Sequence, residues 1–307
     1  MSGGVLVVGS LNVDVTSFSE RLPRPGETVL GTAVSLVAGG KGANQALASA
    51  RAGAPTWMVG RVGDDVFAGV LLDALVADGV DVTHVSAVGA GTGMAHIRVD
   101  ASGQNDIVVV PRANAELGTE QVDTALSTTG AALSVVLLQL EIPLAVVRHA
   151  ARAARAVGLT VVLDPAPARR LDEAVWANVD VVTPNETEAE ALTGVPVRDR
   201  RSAQRAARWF LERGARHVVV TLGELGALWV GPTGSRSFPA YQVRPVDTTA
   251  AGDAFTGTLG AAIANGLEVS RAVERAMAAG ALAVTRPGAS SSLPRAAEVD
   301  ALLRSSP

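Results

Sequence analysis

The chain of 307 residues contains no cysteine. This absence excludes disulfide bonds, thiolate metal ligands and cysteine nucleophiles, and it is typical of proteins from a reducing cytoplasm. No apolar run reaches the roughly 20 residues that a membrane-spanning helix needs. The start of the chain has no cationic segment before its short apolar run, so no signal peptide is predicted. We therefore expect a cytoplasmic protein.

The net charge of the chain is also small. With 26 basic and 30 acidic residues the formal charge is only −4, which excludes attraction to nucleic acid or to an anionic membrane by bulk electrostatics. Small molecules are the expected partners. Aromatic residues are few as well, at 3% of the chain. A site that sandwiches a nucleobase between aromatic rings is therefore disfavoured.

Hydrophobic residues are abundant, at 48% of the chain, and they fall into short buried runs that alternate with alanine-rich segments of helical periodicity. This alternation predicts one α/β domain over 1–307, with a mainly parallel sheet covered by helices on both faces. The predicted strands are 5–8, 57–59, 135–138, 160–163, 179–182 and 218–221. The predicted helices are 66–77, 143–157, 186–193, 202–213, 254–264 and 269–284.

Two segments, at about 13–36 and 93–110, break this pattern because their apolar residues alternate with polar ones. They predict a small β element inserted into the α/β order, which we interpret as a lid. A pair of ordinary surface hairpins is the alternative. The exposed edges and the apolar residues of such a lid favour a homodimer formed through it.

Polar residues follow the first strand and open the next helix. Asn12 and Asp14 lie at alternate positions, so their side chains point the same way. The stretch AGGKGANQA then starts a helix whose free amides can converge with its side chains on one spot; its spacing is not that of a Walker A loop. Carboxylates and amides suit a polyol, whereas the glycines alone would indicate only a helix start. The candidate residues are Asn12, Asp14, Gly40, Lys41, Gly42 and Asn44.

Later strands also end in polar residues. Glu141 lies at the tip of VVLLQLE, and Asp164 follows the next strand. In TPNETEAE, Asn185 and Glu188 share a helix face; they form either a capping box or part of a site in which Glu188 suits Mg²⁺ held through water. The turn TLGELG approaches a phosphate or an adenine, or is an ordinary β-turn.

The stretch DTTAAGDAFTG places small residues and a glycine before Asp253, where we predict that an apolar helix begins. Free amides at a helix start hold anions, and a transferring phosphoryl group needs such fixed donors. A carboxylate beside them can accept the proton of an attacking hydroxyl. The competing interpretation is that Asp253 is simply the N-cap of the helix.

The motifs GSLNVD, GGKGANQA, QLE, TPNETEAE, TLGELG and DTTAAGDAFTG occur in this order over nearly the whole chain. Together they resemble the ribokinase and phosphofructokinase-B family of sugar kinases, and GGKGANQA resembles its ribokinase branch in particular. The resemblance implies a ribokinase-like three-layer α/β fold. It also implies ATP-dependent phosphorylation of the primary 5-hydroxyl of D-ribose, which gives ribose 5-phosphate and ADP.

The resemblance also assigns residues. It implies that Asp253 is the general base and that Ala250, Ala251 and Gly252 form the anion hole. The sugar contacts it implies are Asn12, Asp14, Gly40, Lys41, Gly42, Asn44, Glu141 and Asp253. The implied nucleotide contacts are Asn185, Thr221, Leu222, Gly223, Glu224, Leu225, Gly226, Gly252, Asp253 and Met277. Glu188 would act through the Mg²⁺ shell, and a potassium ion would be held by Asp247, Thr249, Ala283, Arg286, Gly288 and Ser292.

Two arginines depart from the family pattern. Arg98 stands where family members carry an apolar residue, and Arg112 stands where they carry a glycine. A lid arginine can pair with a substrate phosphate, so a sugar-phosphate kinase is an alternative; both can equally be solvated surface charges. A nucleoside kinase is a second alternative. A non-catalytic sugar-binding module is a third, which the joint presence of base, anion hole and metal-shell acid disfavours.

Overall fold

The computed structural model describes residues 3–305. Within that range the chain forms a large nine-stranded sheet and a separate sheet of four strands. The strands are β1 (Gly4–Val8), β2 (Asn12–Ser19), β3 (Gly31–Gly39), β4 (Thr56–Gly63), β5 (Val80–Val88), β6 (Gly93–Val99), β7 (Asn105–Val110), β8 (Leu133–Leu138), β9 (Thr160–Leu163), β10 (Val181–Val182), β11 (His217–Thr221), β12 (Ala227–Gly231) and β13 (Gly234–Phe238).

The described range contains ten α-helices, of which seven lie between strands and three follow β13. Short 3₁₀ turns lie at Arg112–Glu116, Gly130–Ala132 and Gly223–Leu225. None of the helices in residues 3–305 has the length and hydropathy of a bilayer span. The helices are α1 (Lys41–Arg51), α2 (Val66–Ala77), α3 (Thr119–Thr129), α4 (Leu144–Ala156), α5 (Glu173–Trp176), α6 (Glu186–Thr193), α7 (Arg200–Glu212), α8 (Ala251–Ala264), α9 (Val269–Ala283) and α10 (Ala296–Ser305).

The large sheet has the strand order β13-β12-β11-β10-β9-β8-β1-β4-β5. The pairs from β11 to β5 are parallel, and β12 and β13 add an antiparallel edge. Helices cover both faces, because alternate residues of each central strand enter different cores: Val5 and Val7 pack with α1, α8 and α9, whereas Leu6 and Val8 pack with α4 and α7. The predicted three-layer α/β fold is confirmed.

The boundaries differ from the sequence prediction in a few places. Helix α8 begins at Ala251, two to three residues earlier than predicted, so Asp253 lies inside its first turn. Strand β10 is only two residues long, since Val179 closes a turn after α5 through a hydrogen bond from its amide to the Trp176 carbonyl. Strands β5, β12 and β13 and helix α3 were missed, because their apolar patterns are irregular or half exposed.

The second sheet has the order β3-β2-β6-β7 and is built from the two segments that broke the α/β pattern. Its outer strands expose apolar side chains, among them Val34, Leu36, Ile107 and Val108. The first residue of β2, Asn12, pairs with Gly39 at the end of β3. This sheet is therefore joined to the large sheet at the residues that precede α1.

Candidate active site

Asn12 and Asp14 open β2 and are both buried, at 2% and 7% exposure. The Asn12 Oδ1 accepts a hydrogen bond of 2.7 Å from the Asn114 Nδ2, and Asn114 is itself fixed by the backbone of Leu11 through both ends of its amide. The Nδ2 of Asn12 is thereby left to donate to a ligand. The sequence reasoning missed Asn114, which lies 102 residues away in the chain.

Asp14 carries a carboxylate that accepts no hydrogen bond from any residue in the described part of the chain. Burial, together with the charges of Glu141 and Asp253, raises its pKa to about 7. A Cβ at Gly39 would lie 2.2 Å from the Asp14 Oδ2, so only glycine leaves room for this side chain. A buried carboxylate without a donor suits an incoming hydroxyl.

Two glycines bring the start of α1 against the loop after β1. Gly40 has φ +85°, and a Cβ at Gly42 would lie 2.5 Å from the Ser10 nitrogen, so both positions require glycine. This approach brings Glu141 to the helix start. Its Oε2 accepts hydrogen bonds from the Ser10 Oγ at 2.5 Å and from the Lys41 backbone nitrogen at 3.1 Å.

The ammonium group of Lys41 lies between two acids, 3.3 Å from the Asp164 Oδ2 and 3.7 Å from the Asp253 Oδ1. Burial lowers its pKa, but the carboxylates of Asp164, Asp253, Glu141 and Glu188 raise it more, so Lys41 stays charged.

Asp253 is buried, at 4% exposure. Its Oδ2 accepts a hydrogen bond of 3.0 Å from Asn44, and its Oδ1 accepts one of 3.1 Å from Gln45. The alternative that Asp253 caps its own helix is wrong, because Ala250 occupies the N-cap position. A Cβ at Gly257, one turn after Asp253, would lie 2.6 Å from the Gln45 carbonyl oxygen, and this close contact between α8 and α1 brings the three side chains together.

The N-terminus of α8 presents free donors beside Asp253. Ala250 adopts the left-handed φ of +58°, and the Ala251 amide lies 3.3 Å from the Thr248 carbonyl. The next two amides, of Gly252 and Asp253, donate to no acceptor within residues 3–305, and the space beside Gly252 is open. Such a helix end fits a phosphate group.

The predicted nucleotide residues lie at the ends of β10 and β11. Asn185 and Glu188 form the capping box. The Asn185 Oδ1 accepts a hydrogen bond of 2.8 Å from the Glu188 amide, and the Glu188 Oε2 accepts one of 2.9 Å from the Asn185 amide. Thr221 donates its amide to the Pro184 carbonyl, which joins the two strand ends. Gly226 has φ +91° and lies against the Phe238 carbonyl, whereas Gly223 borders open space.

The remaining predicted nucleotide residues are placed as follows. Leu222 is buried and its amide bonds to the Gly226 carbonyl, while Glu224 and Leu225 lie in the exposed 3₁₀ turn. Met277 lies on α9, half-buried against the core.

The predicted potassium ligands lie on two loops that Asp247 connects. Its Oδ1 accepts from the Thr249 amide at 2.9 Å and its Oδ2 from the Gly288 amide at 2.8 Å. Burial raises the pKa of Asp247, but these amide donors lower it more, to below its usual range. The guanidinium of Arg286 pairs with Glu298, and the Arg286 amide donates to the Ala283 carbonyl. Ser292 is fully buried, and its hydroxyl donates to the Ala289 carbonyl.

Three further residues at the centre of the site were not assigned from the sequence. Gln45 touches Asp253 directly, Gln139 donates to Gln45, and Asp164 accepts from Gln45 and Lys41. Asp164 was noted in the sequence as a polar residue after a strand but was given no role, and the same signal could have found Gln139, which follows β8. Gln45 has no such signal, since it is a polar residue within a helix.

Buried polar side chains line a pocket beside the N-terminus of α8, whose first amides are free. The Asp253 carboxylate, held by two hydrogen bonds, lies between the pocket and this helix end. This arrangement defines a phosphotransferase that acts on an alcohol group. The description "pfkB family carbohydrate kinase" matches residues 3–296. The chain belongs to this family.

The chain is similar to several characterised members. It is 40% identical to the ribokinase of Haemophilus influenzae over 94% of both chains. It is 37% identical to the deoxyribokinase of Salmonella typhi, over 94% of this chain and 95% of that one. The structure of Arabidopsis thaliana ribokinase complexed with ribose and ATP superposes with a TM-score of 0.91 at 32% identity, covering 100% of both chains.

Proposed function

We propose that this protein transfers the γ-phosphoryl group of ATP to the primary 5-hydroxyl of D-ribose, giving ribose 5-phosphate and ADP. The observation that carries the proposal is the position of Asp253, which Asn44 and Gln45 hold beside the free amides of α8. The similarity to ribokinases, one of them described with ribose and ATP, supports the same sugar.

In this proposal the sugar hydroxyls contact Asn12, Asp14 and Asn44, together with Gly40, Lys41, Gly42 and Glu141 around them. The Oδ1 of Asn44 supports such a contact, because it is buried and has no donor within residues 3–305. A ribose hydroxyl supplies the missing donor. Lys41 donates to the sugar while its charge remains balanced by the surrounding carboxylates.

Asp253 acts as the general base. It accepts the proton of the 5-hydroxyl as that oxygen forms its bond to the γ-phosphorus, and the bond between the γ-phosphorus and the leaving ADP oxygen breaks. Ala250, Ala251 and Gly252 form the anion hole, in which the free amides of Gly252 and Asp253 stabilise the transferring group. Asn185, Thr221, Met277 and the 222–226 turn contact the nucleotide.

Magnesium fits beside Glu188, since the capping box uses the Oε2 of this side chain and leaves its Oε1 available. When bound, Mg²⁺ neutralises charge on the phosphate oxygens. A potassium ion fits the two loops joined by Asp247. The carbonyls of Ala283, Arg286 and Gly288, with Thr249 and Ser292, would complete the shell of this ion.

We further propose that the protein is a single kinase domain over 1–307, located in the cytoplasm, whose four-stranded sheet is a lid that excludes water from the reaction. The exposed apolar side chains of that sheet, such as Val34 and Ile107, support a homodimer formed through the lid.

Arg98 pairs with Asp106 on the neighbouring strand. Its charge is thereby neutralised, which favours the free sugar over a sugar phosphate.

The test is a coupled ADP-release assay with Mg-ATP. D-ribose, 2-deoxyribose, fructose 6-phosphate, adenosine and uridine are compared, each with and without potassium. Preference for ribose supports the proposal. Preference for a phosphorylated sugar or a nucleoside overturns the substrate and directs attention to Arg98 and Arg112. Release of ADP with none of the compounds above the sugar-free background overturns the proposal for this sugar class.

A further inference from the structure

A second buried carboxylate lies beside Asp253 and has no role in the contacts proposed above. Asp164 follows β9 and is only 4% exposed. Its Oδ2 accepts hydrogen bonds from the Gln45 Nε2 at 2.9 Å and from the Lys41 Nζ at 3.3 Å. The same two nitrogens face the Asp253 Oδ1, at 3.1 and 3.7 Å. The two carboxylates therefore share one pair of donors.

The orientation of Gln45 is fixed from its other end. Its Oε1 accepts a hydrogen bond of 2.6 Å from the Gln139 Nε2, so its NH₂ group must face the two acids. The two hydrogens of that group are divided between Asp164 and Asp253. A rotated Gln45 would direct its oxygen at both carboxylates. All three partners of this amide are buried, so the orientation is held without exchange with solvent.

We propose that Asp164 is a positioning residue for Asp253. It holds the Gln45 amide and the Lys41 ammonium at the distances that leave the Asp253 carboxylate oriented and free to accept the substrate proton. Without the charge of Asp164, the ammonium of Lys41 moves from 3.7 Å into direct contact with Asp253. An ion pair at that oxygen then competes with the hydroxyl that Asp253 must deprotonate.

The proton balance of the reaction supports this role. When Asp253 takes the hydroxyl proton it becomes neutral, and Lys41 loses that counter-charge. Asp164 keeps the buried ammonium paired throughout, and an unpaired buried ammonium is costly. Burial raises the pKa of Asp164 to about 7, although the nearby Lys41 ammonium acts to lower it, so this carboxylate is charged at pH 8, where its role is to be tested.

The inference rests on the proposed function, and its test begins with the sugar that the wild-type protein turns over fastest. For Asp164→Asn we expect kcat to fall by about 10- to 100-fold, the loss typical of a displaced reacting group, with the KM value for ATP within about threefold of wild type. The matched control is Asp180→Asn. The buried Asp180 carboxylate accepts hydrogen bonds from Arg155 and from the Val161 amide. These contacts lie at the ends of β9 and β10 that are remote from Asp253, so we expect this variant to lose stability and to keep the wild-type kcat.

A double variant separates positioning from a general structural effect. Gln45→Met removes the shared amide, and we expect Asp164→Asn combined with Gln45→Met to lose much less than the product of the two single losses, because both act on Asp253 as one unit. Losses that multiply, or an unchanged kcat in Asp164→Asn, overturn the proposal. An Asp180→Asn variant with the same fall in kcat overturns it too.

A structural readout keeps this inference distinct from the proposed function. In a crystal structure of Asp164→Asn we expect the distance between the Lys41 Nζ and the Asp253 Oδ1 to shorten to about 3 Å, the length of a charge-assisted bond. An unchanged distance overturns the positioning role. If the wild-type protein phosphorylates no sugar, the proposed function fails, and this distance still decides whether Asp164 controls the position of Lys41.

Discussion

Replacing Asp14 by asparagine should stabilise the unliganded protein while it weakens sugar binding. The folded state raises the pKa of this carboxyl from 3.8 to about 7, first through burial. A group whose pKa is raised by folding opposes folding once it ionises. The cost is absent below pH 3.8, grows as the pH rises to about 7, and is complete above that value. A pKa difference of about 3 corresponds to about 4 kcal/mol at pH 8.

Asparagine has nearly the same shape and carries no charge, so it removes this cost. Urea unfolding without ligands should give Asp14→Asn a free energy of unfolding up to about 4 kcal/mol above that of wild type at pH 8, and about 1.5 kcal/mol above it at pH 5. For a chain of 307 residues the larger difference raises Tm by about 6 °C. Its kcat/KM for the sugar should fall about 10- to 100-fold, the worth of a hydrogen bond to a charged group.

The matched control is Asp73→Asn, which changes an exposed aspartate on α2 and should alter the free energy of unfolding by less than about 0.5 kcal/mol at either pH. Two results would refute the reasoning. One is an Asp14→Asn variant that is less stable than wild type at pH 8. The other is a stability difference between them that does not change between pH 5 and pH 8, since the charge of Asp14 would then not be its source.

Three further predictions concern the base, the cation and the lid. Asp253→Asn should lower kcat about 10²- to 10⁴-fold with the affinity for ATP retained in calorimetry; wild-type turnover would show that Asp253 is not the base. Asp247→Ala should abolish any stimulation by potassium over sodium in the ADP-release assay, and equal wild-type activity in the two salts would contradict the cation site. If the protein forms the proposed dimer through the lid, Ile107→Lys should convert it to a monomer in sedimentation measurements, and a wild-type monomer or a dimer that survives this change would contradict an interface at β7. The control Arg98→Ala, which removes an exposed ion pair, should change stability by no more than about 1 kcal/mol.

The sequence predicted the elements that carry the site better than it predicted the contacts within it. Strand and helix periodicity placed Asn12, Glu141 and Asp253 at element ends, because those ends are marked locally by glycine and by the change of pattern. The start of α8 was displaced, since Ala250 takes a left-handed conformation that no residue type at that position announces.

The hydrogen-bond network around the base could not be predicted in this way. Gln45 meets Asp253 across 208 residues of sequence and meets Gln139 across 94, and a polar side chain in the middle of a helix carries no local sign of its partner. The contact depends on how closely α1 and α8 approach, which Gly257 permits. That distance is a property of the packed fold, and sequence periodicity contains no measure of it.

The pairing of Asn12 with Gly39 places the base of the small sheet at the residues that border the proposed sugar pocket. If this sheet moves as the proposed lid, its motion pivots beside the binding groups themselves. A sugar bound between Asn12, Asp14 and the start of α1 would then contact both the small sheet and the large domain. Occupancy of the pocket would therefore restrict the motion of the lid directly.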